Sequence, residues 1–232
     1  MSGCIVIPAR LESTRLKRKL LLKETGKELI LHTVENAKSS EIANRVIVAT
    51  DSPEIVDVVK DHCEVCLTPN MPSGTSRVGY TINKLNIKEY VVNVQGDEPD
   101  IEIQYVDDIF RCHNGGVVTL ASICTKEEYE DRNTVKVVLD KDSHALYFSR
   151  CSIPSGSSGG ALKHIGVYGY PAEFFSSLGK MTPTRNVSEN LEQLQWLENG
   201  VPIKVLVRHI TTKGIDVMHD YNRFVDEYKK II

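Results

Sequence analysis

The chain opens on a short unbroken apolar run, Cys4 to Ile7, β-branched at its centre and of the length of a strand buried on both faces. Pro8 has no N–H to give a ladder, so the strand is expected to end there. Ile30, Val34 and Ala37 recur at helical spacing and predict a helix over 29–38. A second strand is expected over 45–50. Ser52-Pro53-Glu54 then supplies an N-cap, a first-turn proline and a first-turn acid for a helix running to about residue 61. A third strand over 63–68, a polar turn over 69–74, a helix to 85 and a fourth strand over 90–95 follow. That last strand runs into Gly96-Asp97-Glu98-Pro99. Strand and helix alternate at βαβ spacing, which predicts a parallel sheet with helices on both faces.

Beyond a helix over 101–113, closed by Gly115-Gly116, the pattern changes. Strand-like runs at 117–124, 134–139, 145–149 and 162–170 have little helix between them. Ser155-Gly156-Ser157-Ser158-Gly159-Gly160 is a low-complexity segment and reads as a flexible loop. Asn186-Val187-Ser188-Glu189 has the form of a capping box, opening a helix with Val187, Leu191 and Leu194 on one face and stopped by Gly200 and Pro202. A strand over 203–207, a turn at Gly214-Ile215-Asp216 and a helix over 219–232 complete the chain. The expected architecture is one α/β domain over 1–232, with a mostly parallel central sheet and a strand-rich insertion at roughly 117–185.

Composition narrows the class. At 232 residues, with 41% hydrophobic and 25% charged positions, the chain has the make-up of a soluble globular protein. A net charge of −3 gives no reason to expect a nucleic-acid or membrane partner, and no apolar run is long enough to span a bilayer. With the first strand starting at once, there is no room for a signal peptide, and a cytoplasmic location is expected. Cys63 and Cys66 have C-x-x-C spacing, but positions three apart in a strand face opposite ways and no second ligand pair exists. The six cysteines therefore read as reduced thiols. No G-x-G-x-x-G follows the first strand, and no G-x-x-x-x-G-K-[ST], G-x-S-x-G or H-E-x-x-H occurs.

Two stretches can carry chemistry. After the first strand come Arg10, Arg15, Lys17, Arg18 and Lys19, with Ser13 and Thr14 among them. A cationic, hydroxyl-bearing loop at that place suits a phosphorylated ligand, since so many like charges repel unless an anion neutralises them. A solvated basic turn is the plainer alternative. Asp97, directly past the fourth strand and preceded by glycine, is a hard carboxylate suited to Mg²⁺, or else a cap of the next helix. Asp216, after Gly214, resembles it, and the two could share one metal. Ser73-Gly74-Thr75 with Arg77 could hold an anion or a polar base at a helix N-terminus, though a simple N-cap accounts for the Ser and Thr equally.

Ile7-Pro8-Ala9-Arg10, Ser13-Thr14-Arg15-Leu16 and Lys19 resemble the opening motif of the CMP-Kdo synthetases (3-deoxy-manno-octulosonate cytidylyltransferases). The resemblance continues through Val46 to Asp51, Glu64-Val65-Cys66, Ser73-Gly74-Thr75 with Arg77, and Val92 to Pro99. It persists in Val135 to Val138, Ala145 to Arg150, His164 to Tyr170, Leu191 to Leu194 and Gly214-Ile215-Asp216, nearly the whole chain in the family's order.

The resemblance implies a nucleotide-diphospho-sugar transferase (Rossmann-like) fold and a Mg²⁺-dependent reaction. CTP and 3-deoxy-D-manno-octulosonate (Kdo), or a close ulosonic acid, would give CMP-sugar and pyrophosphate for lipopolysaccharide synthesis. It implies that Pro8, Ala9, Arg10, Ser13, Arg15, Lys19, Ser73 and Gly74 bind the nucleotide, with Lys19 on the leaving pyrophosphate. Asp97 and Asp216 would hold the metal. Arg77, Gln95, Arg150, His164, Tyr168, Glu192 and Gln193 would form the acid-sugar site, and the strand-rich insertion would make a homodimer.

Departures from the family pattern are Lys17-Arg18-Lys19-Leu20 in place of Pro-Gly-Lys-Pro, Ser76 in place of an acid, Pro171 in place of an arginine, and Val217-Met218 in place of Thr-Pro. The segment after Ile153-Pro154 is also short and Gly/Ser-rich; the metal and triphosphate residues are kept and the changes gather nearer the sugar side and the insertion, which leaves an amino-Kdo or another ulosonic acid open as acceptor. A CMP-sialic acid synthetase, another sugar nucleotidyltransferase and a catalytically silent CTP-binding protein are the rival readings.

Overall fold

The computed structural model describes residues 3–156, 158–185, 187–211 and 214–231. The chain forms two compact units, Met1–Asp107 with Thr211–Ile232, and Asp108–Ile210.

Four parallel strands make the first unit. β1 (Gly3–Ala9), buried along its whole length, lies between β2 (Ala43–Thr50) and β4 (Tyr90–Asn93), and β3 (Glu64–Leu67) pairs with β2. The crossovers contain α1 (Leu29–Lys38), α2 (Pro53–Val59) and α3 (Gly74–Leu85). Ser52 caps α2, its Oγ accepting from Ile55 N at 3.4 Å, and Ser73 caps α3, accepting from Ser76 N at 3.1 Å. The strand order β3-β2-β1-β4 reverses direction between β1 and β4. Ligands of open α/β sheets bind outside the carboxyl ends of the strands at such a point.

Pro8 does not end β1, which pairs with β2 through Pro8 and Ala9. The reason lies in the neighbouring strand. Val94 N donates to Val6 O at 3.2 Å, so Val6 and, two residues on, Pro8 turn their backbone polar groups toward β4. β4 has already ended opposite Val6. A missing N–H at Pro8 therefore costs no ladder bond.

The chain passes along α4 (Ile103–Cys112) into the second unit. There β5 (Val117–Ile123) pairs antiparallel with β8 (Leu162–Tyr170) and parallel with β9 (Ile203–Val207). β6 (Lys136–Leu139) pairs antiparallel with β7 (Ala145–Ser149) and β8. The fold class is mixed α/β, parallel throughout the first unit's sheet and mixed in the second.

Two short helices interrupt the region expected to be nearly all strand. α5 (Lys126–Glu130) is nucleated by a capping box between Thr125 and Glu128, and α6 (Phe174–Leu178) buries Phe174 and Phe175. The helix expected to open at Asn186, which lies outside the described residues, starts later. Val187–Glu189 is a single 3-10 turn, and α7 spans Glu192–Glu198. Glu189 is unavailable as a cap because its carboxylate accepts from Ser149 Oγ at 2.5 Å and Arg150 N at 2.8 Å. The final helix, α8 (Met218–Ile231), belongs to the first unit.

Candidate active site

The loop after β1 folds back over the ends of β1 and β4. Buried Leu16 and Leu20 anchor it, and Arg18 takes a left-handed conformation with φ 53° before a 3-10 turn at Lys19–Leu21. The turn aims Lys19 inward. Its ammonium pairs with Asp97, donates to Ile215 O at 2.7 Å and lies 3.6 Å from Asp216 Oδ1. Arg15 reaches the same Asp216 oxygen at 2.8 Å, and Arg18 pairs with Glu54. Much of the charge expected to call for an external anion is met by the chain's own carboxylates.

Close backbone packing brings the two aspartates together. A Cβ at Gly96 would lie 3.2 Å from Ile30 Cδ1 and 3.3 Å from Pro8 O, tighter than neighbours accept without shifting. Glycine there lets the 95–97 turn sit on β1 and delivers Asp97. Ile215 N donates to Asp97 O at 2.9 Å, which holds the 214–216 segment beside it. Asp220 Oδ2 accepts from Asp216 N and Val217 N at 3.0 and 3.1 Å and orients the Asp216 backbone from the first turn of α8.

Next to Asp97, Glu98 is partly buried, and its Oε2 is shut off from solvent with no hydrogen-bond partner among the described residues. Burial first, then the negative charges of Asp97 and Asp216, push its carboxyl up to about 8, with Lys19 opposing. Among the described residues no group of three or more His, Cys, Asp and Glu is arranged to hold a metal ion. What the structure brings together is the Asp97–Asp216 pair around a single ammonium.

A cavity of about 680 Å³ opens over this cluster, lined by Arg10, Ser13, Arg15, Lys19, Asp97 and Asp216. A second, of about 280 Å³, shares Pro8, Arg10 and Gln95 with it and adds Ala9, Ser73, Gly74 and Arg77. Gly74 packs against Pro8 and Gln95; a Cβ there would lie 3.5 Å from Pro8 Cγ. All eight residues expected to meet the nucleotide thus line one or both cavities. Cationic walls around a hard carboxylate pair can bind a polyphosphate and a divalent cation together.

The cytidylyltransferase family model matches residues 4–210. The chain is 36% identical over 234 residues to the 3-deoxy-manno-octulosonate cytidylyltransferase of Chloroherpeton thalassium, covering 95% of both chains. It is 39% identical over 247 residues to the enzyme of that name from Haemophilus influenzae, covering 96% of this chain and 97% of the other. The chain belongs to the cytidylyltransferase family. A solved CMP:2-keto-3-deoxy-manno-octonic acid synthetase complexed with CTP superposes at a TM-score of 0.94, with 30% identity and all of both chains covered. A Bacillus anthracis protein described as a putative glucose-1-phosphate thymidylyltransferase, 16% identical with a TM-score of 0.70 over 99% of this chain and 96% of its own, shares the nucleotidyltransferase fold.

The residues expected at this cytidylyltransferase's acid-sugar site fall in both units. In the first, Arg77 is almost wholly buried in α3, its guanidinium donating to Asp51 Oδ2 at 3.0 Å and Thr68 Oγ1 at 2.5 Å, and Gln95 lines both cavities. In the second, His164 and Tyr168 stand together with ring centroids 5.1 Å apart, and Tyr168 meets Trp196 edge-on at 5.2 Å. His164 Nε2 is 3.1 Å from Thr119 Oγ1, and burial pushes the imidazole down to about 3. Arg150 donates from Nε to Glu189 O at 3.1 Å and from a terminal nitrogen to Arg132 O at 3.3 Å. Glu192 opens α7 on its exposed side, and Gln193 is buried. Sequence reasoning missed Asp51, Glu98 and Asp220. A carboxylate three residues into the last helix, after a Val that cannot cap, was the one available signal for Asp220.

Proposed function

We propose that this chain transfers a cytidylyl group from CTP to Kdo and releases pyrophosphate. The observation that carries the reading is the convergence of Lys19, Arg15, Asp97 and Asp216 at the carboxyl ends of β1 and β4. The names and CTP complex of the relatives give the nucleotide and acceptor. In the reaction the anomeric hydroxyl oxygen of the sugar attacks the α-phosphorus of CTP. The bond from that phosphorus to the bridging oxygen breaks, pyrophosphate leaves and the hydroxyl proton is released.

Most of the work in such a transfer is positioning and charge neutralisation. Arg10, Ser13 and Arg15 bind the triphosphate, and Lys19 offsets negative charge growing on the leaving pyrophosphate. Pro8, Ala9, Ser73 and Gly74 wall the smaller cavity, whose size suits a pyrimidine base. Arg77, Gln95, Arg150, His164, Tyr168, Glu192 and Gln193 are proposed to receive the acid sugar.

The donor set fits Mg²⁺. Two hard carboxylates face one cation already, the Lys19 ammonium, beside a third, Glu98, whose Oε2 has no partner among the described residues. Asp97 and Asp216 would hold the ion, which when bound supplies polarisation of the α-phosphate. The six cysteines are free, in keeping with a reducing cytoplasmic setting, and no helix is long and apolar enough to cross a membrane among the described residues. The CMP-sugar product is suited to feed glycosyl transfer in lipopolysaccharide synthesis. The strand-rich unit is proposed as the face of a homodimer.

Pyrophosphate release with CTP and Mg²⁺, across Kdo, 8-amino-Kdo and N-acetylneuraminate, tests the reading. Release with Kdo, abolished in Asp97→Ala, is expected. Release only with the amino sugar would move the acceptor, and silence across the panel with CTP still bound would overturn the activity.

A further inference from the structure

Glu98 is a cost that the mechanism so far leaves unexplained. Its Oε2 is shut off from solvent with no donor among the described residues, and Asp97 and Asp216 crowd it with like charge. A charged carboxylate oxygen shut off from solvent without a partner is unfavourable, and the remedies are a proton on the carboxyl itself, a cation or a hydrogen-bond donor. The backbone shows that the enclosure is built. Glu98 N donates to Gln95 O at 3.1 Å, fixing the turn that also carries Asp97. Gly214 runs across the side chain, where a Cβ would lie 3.4 Å from Glu98 Cγ and 3.8 Å from Oε1, and Ile215 N bonds the carbonyl of Asp97 in the next step. The same two segments that deliver Asp97 and Asp216 thus hold Glu98 beside them.

A divalent ion on Asp97 and Asp216 would keep most of its waters, because Mg²⁺ gives them up reluctantly. Those waters are strong donors that need acceptors, and an anionic acceptor behind a ligand also strengthens the site. We propose that Glu98 is a positioning residue of the divalent-cation site, its Oε2 accepting a hydrogen bond from a water that the cation retains. The proposal rests on Asp97 and Asp216 being the metal ligands. Glu98 touches neither substrate nor the reacting phosphorus; it sets how tightly the ion is held and which way its water shell faces.

Mn²⁺ binding, read by the loss of the free-ion electron paramagnetic resonance signal with and without CTP, tests it on the full chain. Glu98→Gln keeps the shape and one acceptor oxygen while removing the charge. It is expected to weaken Mn²⁺ binding about 10- to 100-fold. Its metal-free melting temperature should match or exceed that of the parent, since the amide fills the same space and carries no charge. Glu98→Asp should recover part of the Mn²⁺ affinity. Unchanged Mn²⁺ affinity in Glu98→Gln overturns the proposal, as does a loss of affinity accompanied by a lower metal-free melting temperature, which marks a purely structural role. Asp97→Ala separates the two levels. If it leaves Mn²⁺ binding intact, the metal assignment itself fails; if it abolishes binding while Glu98→Gln does not alter it, only the role of Glu98 does.

Discussion

At the scale of single residues, the site is a set of charges that satisfy one another. Lys19 is only slightly exposed and serves two carboxylates and a carbonyl at once, so its loss removes the counter-charge of the cluster as well as a phosphate contact. Lys19→Met is expected to cut kcat about 10²- to 10³-fold in the pyrophosphate assay, the usual effect of deleting one donor to developing negative charge. Arg77 is held differently, inside the protein, by Asp51 and Thr68. Asp51→Ala leaves that guanidinium buried with half its partners, and urea unfolding should show a loss of about 3 kcal/mol. Two histidines give the fold a pH dependence. Burial pushes His32 down to about 4 and His164 to about 3, whereas both titrate near 6.5 when unfolded. Between pH 6.5 and about 4 the unfolded chain therefore binds more protons, and stability falls as pH falls. His164→Gln should flatten that slope by up to about 1.4 kcal/mol per pH unit, measured as ΔG of unfolding against pH.

At the scale of elements, helix ends do the positioning. α8 begins after Val217, which offers no capping oxygen, so Asp220 turns back to accept from the backbone of Asp216 and Val217. Further along, Tyr221 donates to the Glu24 carboxylate and accepts from Glu24 N, while His32 meets Phe224 and Tyr228 edge-on at 5.0 and 4.5 Å. The helix is thereby clamped to α1 and to the segment just beyond Lys19. Asp220→Ala is expected to lower stability by about 1 kcal/mol and to raise the Mg²⁺ concentration for half-maximal activity, because the backbone bearing Asp216 loses its anchor. A thermal melt and a Mg²⁺ titration of the same variant check both.

At the scale of the whole molecule, one unit carries the cluster of charge and the other an exposed leucine on a strand that is otherwise mostly buried. In β7 the side chain of Leu146 is 62% exposed, and β7 pairs with β6 alone among the described strands. A large apolar side chain left in solvent is a ready contact for a second chain. If the proposed dimer uses it, sedimentation should report twice the 26.0 kDa chain mass, and Leu146→Lys should return the species to a single chain. A single-chain mass for the unaltered protein would rule the dimer out.

Local pattern was enough for much of this protein. The βαβ alternation of the first unit, the caps at Ser52 and Ser73, and the limits of β7, β8 and β9 could all be read along the chain, because each depends on residues within one turn or one pleat. So could the basic loop and Asp97, since glycine before a carboxylate at a strand end is a local arrangement. Tertiary structure decided the rest. Pro8 could stay in β1 only because β4 stops short of it, and Glu189 failed as a cap only because Ser149 and Arg150, some forty residues earlier, claimed it. Whether Arg15 and Lys19 would wait on an external anion, and whether Glu98 would be left without a partner, depended on where Asp216 returned, about 200 residues after Arg15. Local pattern sets which bonds a segment can make with itself; the partners of a charge are whatever the fold brings within a few ångströms, and no stretch of sequence carries that distance.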